Sequence, residues 1–132
     1  MPKPEIEEFA RLLVTEVRDR SIASCDMQLR PEINSPVAKR WRKKLTDAAS
    51  CSDFATEMIP DCVDETLGNL LQAIDSGVLR VSFVASNGNV VDLAEEGMGE
   101  LAGWLGGDGW IAKYSQQRFI NDFEDLKGFF DK

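Results

Sequence analysis

Two stretches of this sequence hold side chains whose types and spacing could do chemistry. The first is Trp104-Leu105-Gly106-Gly107-Asp108-Gly109-Trp110, with Tyr114 and Arg118 just beyond it. A glycine-rich loop cradles phosphate when its amides converge on the ligand and a helix amino terminus follows. Here no Gly-Lys-Ser/Thr follows, and Asp108 puts a negative charge where the phosphate would sit. A calcium loop fails too, because a single aspartate lacks the alternating oxygen ligands such loops supply. What remains is a glycine loop between two tryptophans, the residue type most enriched at protein-binding hot spots. Trp104, Asp108, Trp110, Tyr114 and Arg118 are therefore the expected partner- or ligand-binding set. Two uses stay open beside a protein contact. Both indoles can anchor the loop to the core, or Arg118 can hold a carboxylate or phosphate against stacked aromatics.

The second stretch is Lys39-Arg40-Trp41-Arg42-Lys43-Lys44. At helical spacing Lys39, Arg40, Arg42, Lys43 and Lys44 cover the arc opposite Val37, Trp41 and Leu45, making one basic face on an acidic body. That face reads either as solvated side chains paired with nearby acids, each exposed pair contributing at most about 1 kcal/mol, or as a docking face for an acidic partner or phosphates. A third group, Asp61, Asp64 and Asp75, falls along one edge of an expected helix. Asp64 and Asp75 stand about 16 Å apart at the helical rise, too far to share a metal or a glycosidic bond. Asp61, Asp64 and Glu65 suit the positive end of the helix dipole.

Composition narrows the chemistry further. The chain of 132 residues contains no histidine, the usual general base and transition-metal ligand near neutrality. Ser-His-Asp, Cys-His and His-ligated metal mechanisms are thereby excluded within this chain. Lysine or carboxylate catalysis survives, but no residue pattern calls for a catalytic role, a metal or a cofactor. Three cysteines, Cys25, Cys51 and Cys62, form no C-x-x-C; an odd count without a secretion signal reads as reduced, structural thiols of a cytoplasmic protein. With 23 acidic and 15 basic side chains the net charge is −8. Such a field repels polyphosphate, so nucleic acid and anionic lipid are poor default partners. The longest charge-free run, residues 81–91, is far short of the roughly 20 apolar residues that span a bilayer.

The elements that must position these residues follow from periodicity. Ile6, Phe9, Ala10, Leu13, Val14 and Val17 lie within about 140° of one another on a helix from about residue 5 to 20 or slightly beyond. Residues 26–34 read as a connector. Ser35 and Pro36 form a matched helix start, and Val37, Trp41, Leu45 and Ala48 make a core stripe. A short helical piece at 54–58 should stop at Pro60, with Asp61 capping a third helix. Its apolar face is Val63, Leu67, Leu70, Leu71 and Ile74, and Gly77 ends it.

Alternation then takes over. Residues 78–84 and 90–93 form a hairpin. A three-residue turn at Ser86-Asn87-Gly88 gathers Leu79, Val81, Phe83, Val91 and Leu93 on one face. A short helix with Met98, Leu101 and Leu105 comes next, and residues 110–114 alternate as a third strand. Ser115 caps a final helix with Phe119, Ile120, Phe123 and Leu126 on one face; Gly128 ends it, and Phe129 folds back on Phe123. The expected class is α+β: four or five helices packed on a small antiparallel hairpin or three-stranded sheet, in a single domain over residues 1–132.

In size and acidity the chain resembles small bacterial immunity proteins that neutralise basic toxin nucleases, and secretion chaperones. The resemblance is one of composition and carries no residue over. It implies a cytoplasmic protein-interaction module that captures a basic partner, for which an acidic surface speeds encounter. The alternative is a small-ligand domain or enzyme using the tryptophan-flanked loop. Nucleic-acid regulation through the basic helix is a third reading, opposed by the acidic field. Self-association as a homodimer stays open, since Phe129 and Phe130 can be buried within the chain or between chains.

Overall fold

The computed structural model describes residues 3–47, 49–107, 109–118 and 122. The chain opens with three helical segments in succession: α1 (Pro4–Leu12), a π-helical segment (Leu13–Arg18) and α2 (Asp19–Gln28). Pro4 stands in the first turn, where its missing N–H costs nothing. Hydroxyls mark the ends of the wide turn: Thr15 donates to the Arg11 carbonyl at 2.9 Å, and Ser21 to the Val17 carbonyl at 2.6 Å. A π turn takes in extra backbone and so rotates the faces before and after it relative to one another. The expected core stripe does not survive that rotation. Val17 is buried, but Phe9 is 47% and Leu13 37% exposed, Ile6 and Val14 are exposed as well, and α1 buries none of its described residues.

The expected capped start at Ser35-Pro36 is present. The Ser35 hydroxyl accepts from the Ala38 amide at 3.1 Å and donates to Gln28 Oε1, tying α3 (Pro36–Asp47) to the end of α2. Ala38 and Trp41 are buried, whereas Leu45 is exposed; Ala48 lies outside the described residues.

Pro60 does not end a helix. A single α4 runs Cys51–Asp75, capped by the Ser50 hydroxyl accepting from the Asp53 amide at 3.2 Å. An interior proline withdraws one N–H and orphans the carbonyl four residues earlier. That carbonyl belongs to Thr56, and Arg118 Nε donates to it at 3.1 Å. A residue 62 positions away thus supplies a donor in place of the one lost. Asp61, expected as a cap, sits mid-helix instead.

Beyond α4, β1 (Ser82–Val84) and β2 (Val90–Asp92) pair antiparallel with Phe83 opposite Val91. This is the register of the three-residue turn, with Gly88 at φ +88 and the Ala85 amide bonded to the Asn89 carbonyl at 2.8 Å. Leu79 is buried and Val81, Val91 and Leu93 are half-buried, while Phe83 extends past the core and stays exposed. The Asp92 side chain accepts from the Ala94 amide and starts α5 (Leu93–Glu96), and α6 (Leu101–Leu105) follows. Residues 110–114 form α7 (Trp110–Tyr114), not a third strand. Five residues suit either period, and here the Lys113 amide bonds back to Gly109 at 3.0 Å and no described strand edge lies beside them. Ser115–Arg118 are not helical; the final helix expected through Phe119, Ile120, Phe123, Leu126 and Phe129 falls on residues outside those described.

The architecture is α+β, helices with a two-stranded antiparallel sheet. Its core is Val17, Ala73, Ile74, Leu79 and Leu101, with Leu12, Leu70, Leu71, Val81, Leu93, Ala94 and Trp110 packed against it. Among the described residues no helix is long and apolar enough to cross a membrane.

Candidate functional site

Asp75, at the end of α4, accepts from the Leu101 amide at 3.0 Å and the Ala102 amide at 2.9 Å. A carboxylate on those amides matches the positive end of a helix, so Asp75 is occupied in holding α6 onto α4. The glycine loop then turns the chain back. A Cβ on Gly109 would run into the Trp104 carbonyl, which only glycine avoids, and the Gly109 amide bonds Gly106 at 2.9 Å. This tight return brings the indoles of Trp104 and Trp110 to 6.1 Å between centroids at 54°. Asp108 lies outside the described residues.

An apolar groove of about 490 Å³ lies between α4 and α7. Ile59, Val63 and Leu67 of α4 form one wall, and Trp110, Ile111 and Tyr114 of α7 the other. Three members of the expected binding set thus converge: Trp110, Tyr114 and Arg118 all line it, and Trp104 packs at a tilt against Trp110. Their exposure differs. Tyr114 is 67% and Trp104 39% exposed, whereas Trp110 is half-buried against the core. Arg118 has its Nε committed to Thr56. Val63 and Leu67, expected in the core, are exposed on this groove.

Next to the groove is a smaller cavity of about 210 Å³ whose wall includes Asp61, Asp64, Glu65 and Asp122. Here the basic face is corrected. Arg40 does not point to solvent but into a cluster of acids. Its Nε and one terminal nitrogen bond Asp122 at 3.1 and 2.9 Å; the terminal nitrogens bond Asp61 at 2.8 and 3.0 Å, and one also reaches Glu57 at 3.2 Å. These bonds use every N–H of the guanidinium fork. The carboxylates raise the Arg40 pKa further above its already high value, overcoming the opposing effect of burial. Trp41, 1% exposed, donates from Nε1 to Asp61 at 2.6 Å and meets Phe54 edge-on with centroids 6.4 Å apart. Arg42 is spent on the Arg30 and Pro31 carbonyls and Asn34. Among the described residues, Lys39, Lys43 and Lys44 of the expected basic face form no ion pair with a carboxylate.

Asp64 lines both the acidic cavity and the groove. Burial, and then the Asp61 charge, push its carboxyl above the ordinary range. Sequence reasoning groups Asp61 with Asp64 but leaves out Glu57, because it ends a helix at Pro60. Glu57, Asp61 and Asp64 recur at four- and three-residue spacing, and on an unbroken helix that pattern places all three on one face.

No known protein family, curated protein or solved structure gives a significant match to this chain.

Proposed function

We propose that this chain is a protein-interaction module, cytoplasmic and acidic in the manner of immunity proteins and chaperones, that captures a basic protein partner. The observation that carries the reading is the exposed apolar groove walled by Ile59, Val63, Trp110 and Tyr114, with carboxylates at its edge. An apolar ridge of the partner enters the groove, and its flanking cations meet the field of a chain with net charge −8. The ion-paired Arg40 does not cancel that field, since one guanidinium faces three carboxylates, Glu57, Asp61 and Asp122. Nucleic acid is disfavoured on the same grounds, with two of the five cations already bonded within the protein.

The test is affinity capture with the tagged full chain at low and physiological salt, beside Tyr114→Ala and Val63→Asp. Both positions are exposed, so melting temperatures should change little. The expected result is a stoichiometric basic protein, lost with either variant. Capture that ignores both substitutions, or no stoichiometric protein at either salt, would defeat the proposal. A small-ligand reading draws support from the groove volume, which falls in the range of ligand pockets. A thermal-shift response to one class of metabolite, abolished by Tyr114→Ala, would favour it instead.

A further inference from the structure

Away from the groove and the acid cluster, the packing of α2 on α4 brings two thiols together. Asn69 of α4 donates from Nδ2 to the buried Ser21 hydroxyl of α2 at 3.0 Å, fixing where the two helices cross. One turn beyond Ser21 on α2 is Cys25, and two turns before Asn69 on α4 is Cys62, since residues three and four apart share a helix face. Both thiols line one open cleft of about 440 Å³ with Leu13, Val17, Ile22 and Thr66. They are half-buried and unpaired by a disulfide, and Cys62 lies near enough to help raise the Cys25 thiol. Cys51, at the start of α4, is exposed and lines no part of this cleft.

We propose that Cys25 and Cys62 are a redox-active pair that closes into a disulfide by exchange with a low-molecular-weight disulfide, covalently joining α2 to α4. Two groups that line one cleft at a helix crossing react intramolecularly more readily than either does with an external molecule. The order of attack follows from their surroundings. Burial first, then the contact with Cys62 and the charges of Glu65 and Asp26, push the Cys25 thiol up to about 12. A thiol so rarely ionised is a poor first nucleophile. Cys62 therefore attacks the external disulfide RSSR first, forming Cys62–S–S–R and releasing RS⁻, which takes up the proton that leaves the Cys62 thiol. Cys25 then loses its proton and attacks Cys62 Sγ, expelling the second RS⁻. Two protein thiols are oxidised by two electrons, and one RSSR is reduced to two RSH.

The experiment uses the full chain with glutathione disulfide, followed by alkylation and peptide mapping without reduction. The expected product contains a Cys25–Cys62 cross-linked peptide two hydrogen atoms lighter than the sum of its two thiol peptides, with Cys51 carrying glutathione separately. Closing this long loop should raise Tm by about 10 °C. Cys62→Ser should slow loss of the free Cys25 thiol at least tenfold, while Cys51→Ser should leave cross-linking unchanged. Cys25 and Cys62 ending as separate glutathione adducts, or both staying reduced while Cys51 is fully modified, would overturn the pairing. Equal rates of Cys25 loss with and without Cys62 would overturn the order of attack.

Discussion

The first helical segments and α3 are both amphipathic, and the structure treats them in opposite ways. In α1 and the π segment the apolar positions Ile6, Phe9, Leu13 and Val14 lie open to solvent. In α3 the position that reads as the middle of a solvated cationic face, Arg40, is drawn against Glu57, Asp61 and Asp122. A helix wheel says which face differs from the rest. Whether that face is covered depends on what the chain brings beside it. α3 meets α4, which carries Phe54 for the indole and a row of carboxylates for the guanidinium, while α1 precedes the π segment and buries none of its described residues.

The largest effect that can break this contrast is on Arg40. Arg40→Met removes one charge from a cluster of half-buried carboxylates, and breaking such a cluster from one side costs on the order of 3 kcal/mol. Lys39→Met and Lys43→Met, on the same helix but exposed, should stay within about 0.5 kcal/mol. Urea denaturation measures all three; an Arg40 variant as mild as its neighbours would return that residue to the solvent face.

Next in size is the bond that lets α4 pass through Pro60. Losing the donor to the Thr56 carbonyl in Arg118→Met should cost about 1 kcal/mol. In a Pro60→Ala background the helix regains its own N–H, and the same substitution should then cost nearly nothing. Equal costs in the two backgrounds, read from the double-mutant cycle, would show that the guanidinium does not replace the missing bond.

Asp64 tests the acid cluster through pH. Its carboxyl is held above the ordinary value of 3.8 by burial and by Asp61. The folded state therefore keeps the proton where the unfolded chain has lost it, so this group's contribution is fully present below pH 3.8 and is lost as pH rises through the higher folded pKa. Asp64→Asn should consequently be more stable than the parent at pH 7, with the difference vanishing by about pH 3.5. A variant less stable at neutral pH would mean that the ionised carboxylate makes a favourable contact.

The smallest expected change sharpens the other side of the comparison. Phe9→Ser should move stability by no more than about 0.5 kcal/mol, because the ring is already half in water. A loss above about 2 kcal/mol that shrinks on dilution would reveal a second copy covering that stripe, giving the homodimer a surface.

Much of the local order was legible in the residues. Ser35-Pro36 starts α3, and the parity of Leu79, Val81, Val91 and Leu93 selects the three-residue turn that the register confirms. The aromatic set was legible as a group too, and Trp110, Tyr114 and Arg118 do line one groove. Their division of labour was not. Trp110, for which core and surface both stood open, packs on the core, and Tyr114 presents the open face. Five residues from 110 to 114 match a strand as well as a helix, so the choice waited on whether a sheet edge or a neighbouring indole lay beside them.

What the sequence by itself determined is what acts over a few residues or over the whole chain: caps, the hairpin turn, the acidic field, and the exclusion of histidine chemistry. Capping bonds and turn angles close within one turn of backbone, and net charge needs no coordinates at all. Tertiary structure decided the rest, because each answer depended on a partner distant along the chain. The carbonyl freed at Pro60 is met by Arg118, Arg40 is turned inward by Asp61 and Asp122, and Cys25 and Cys62 share a cleft where Ser21 and Asn69 join α2 to α4. An unmet hydrogen-bonding group or an amphipathic face advertises a need in the sequence, and only packing selects which residue meets it.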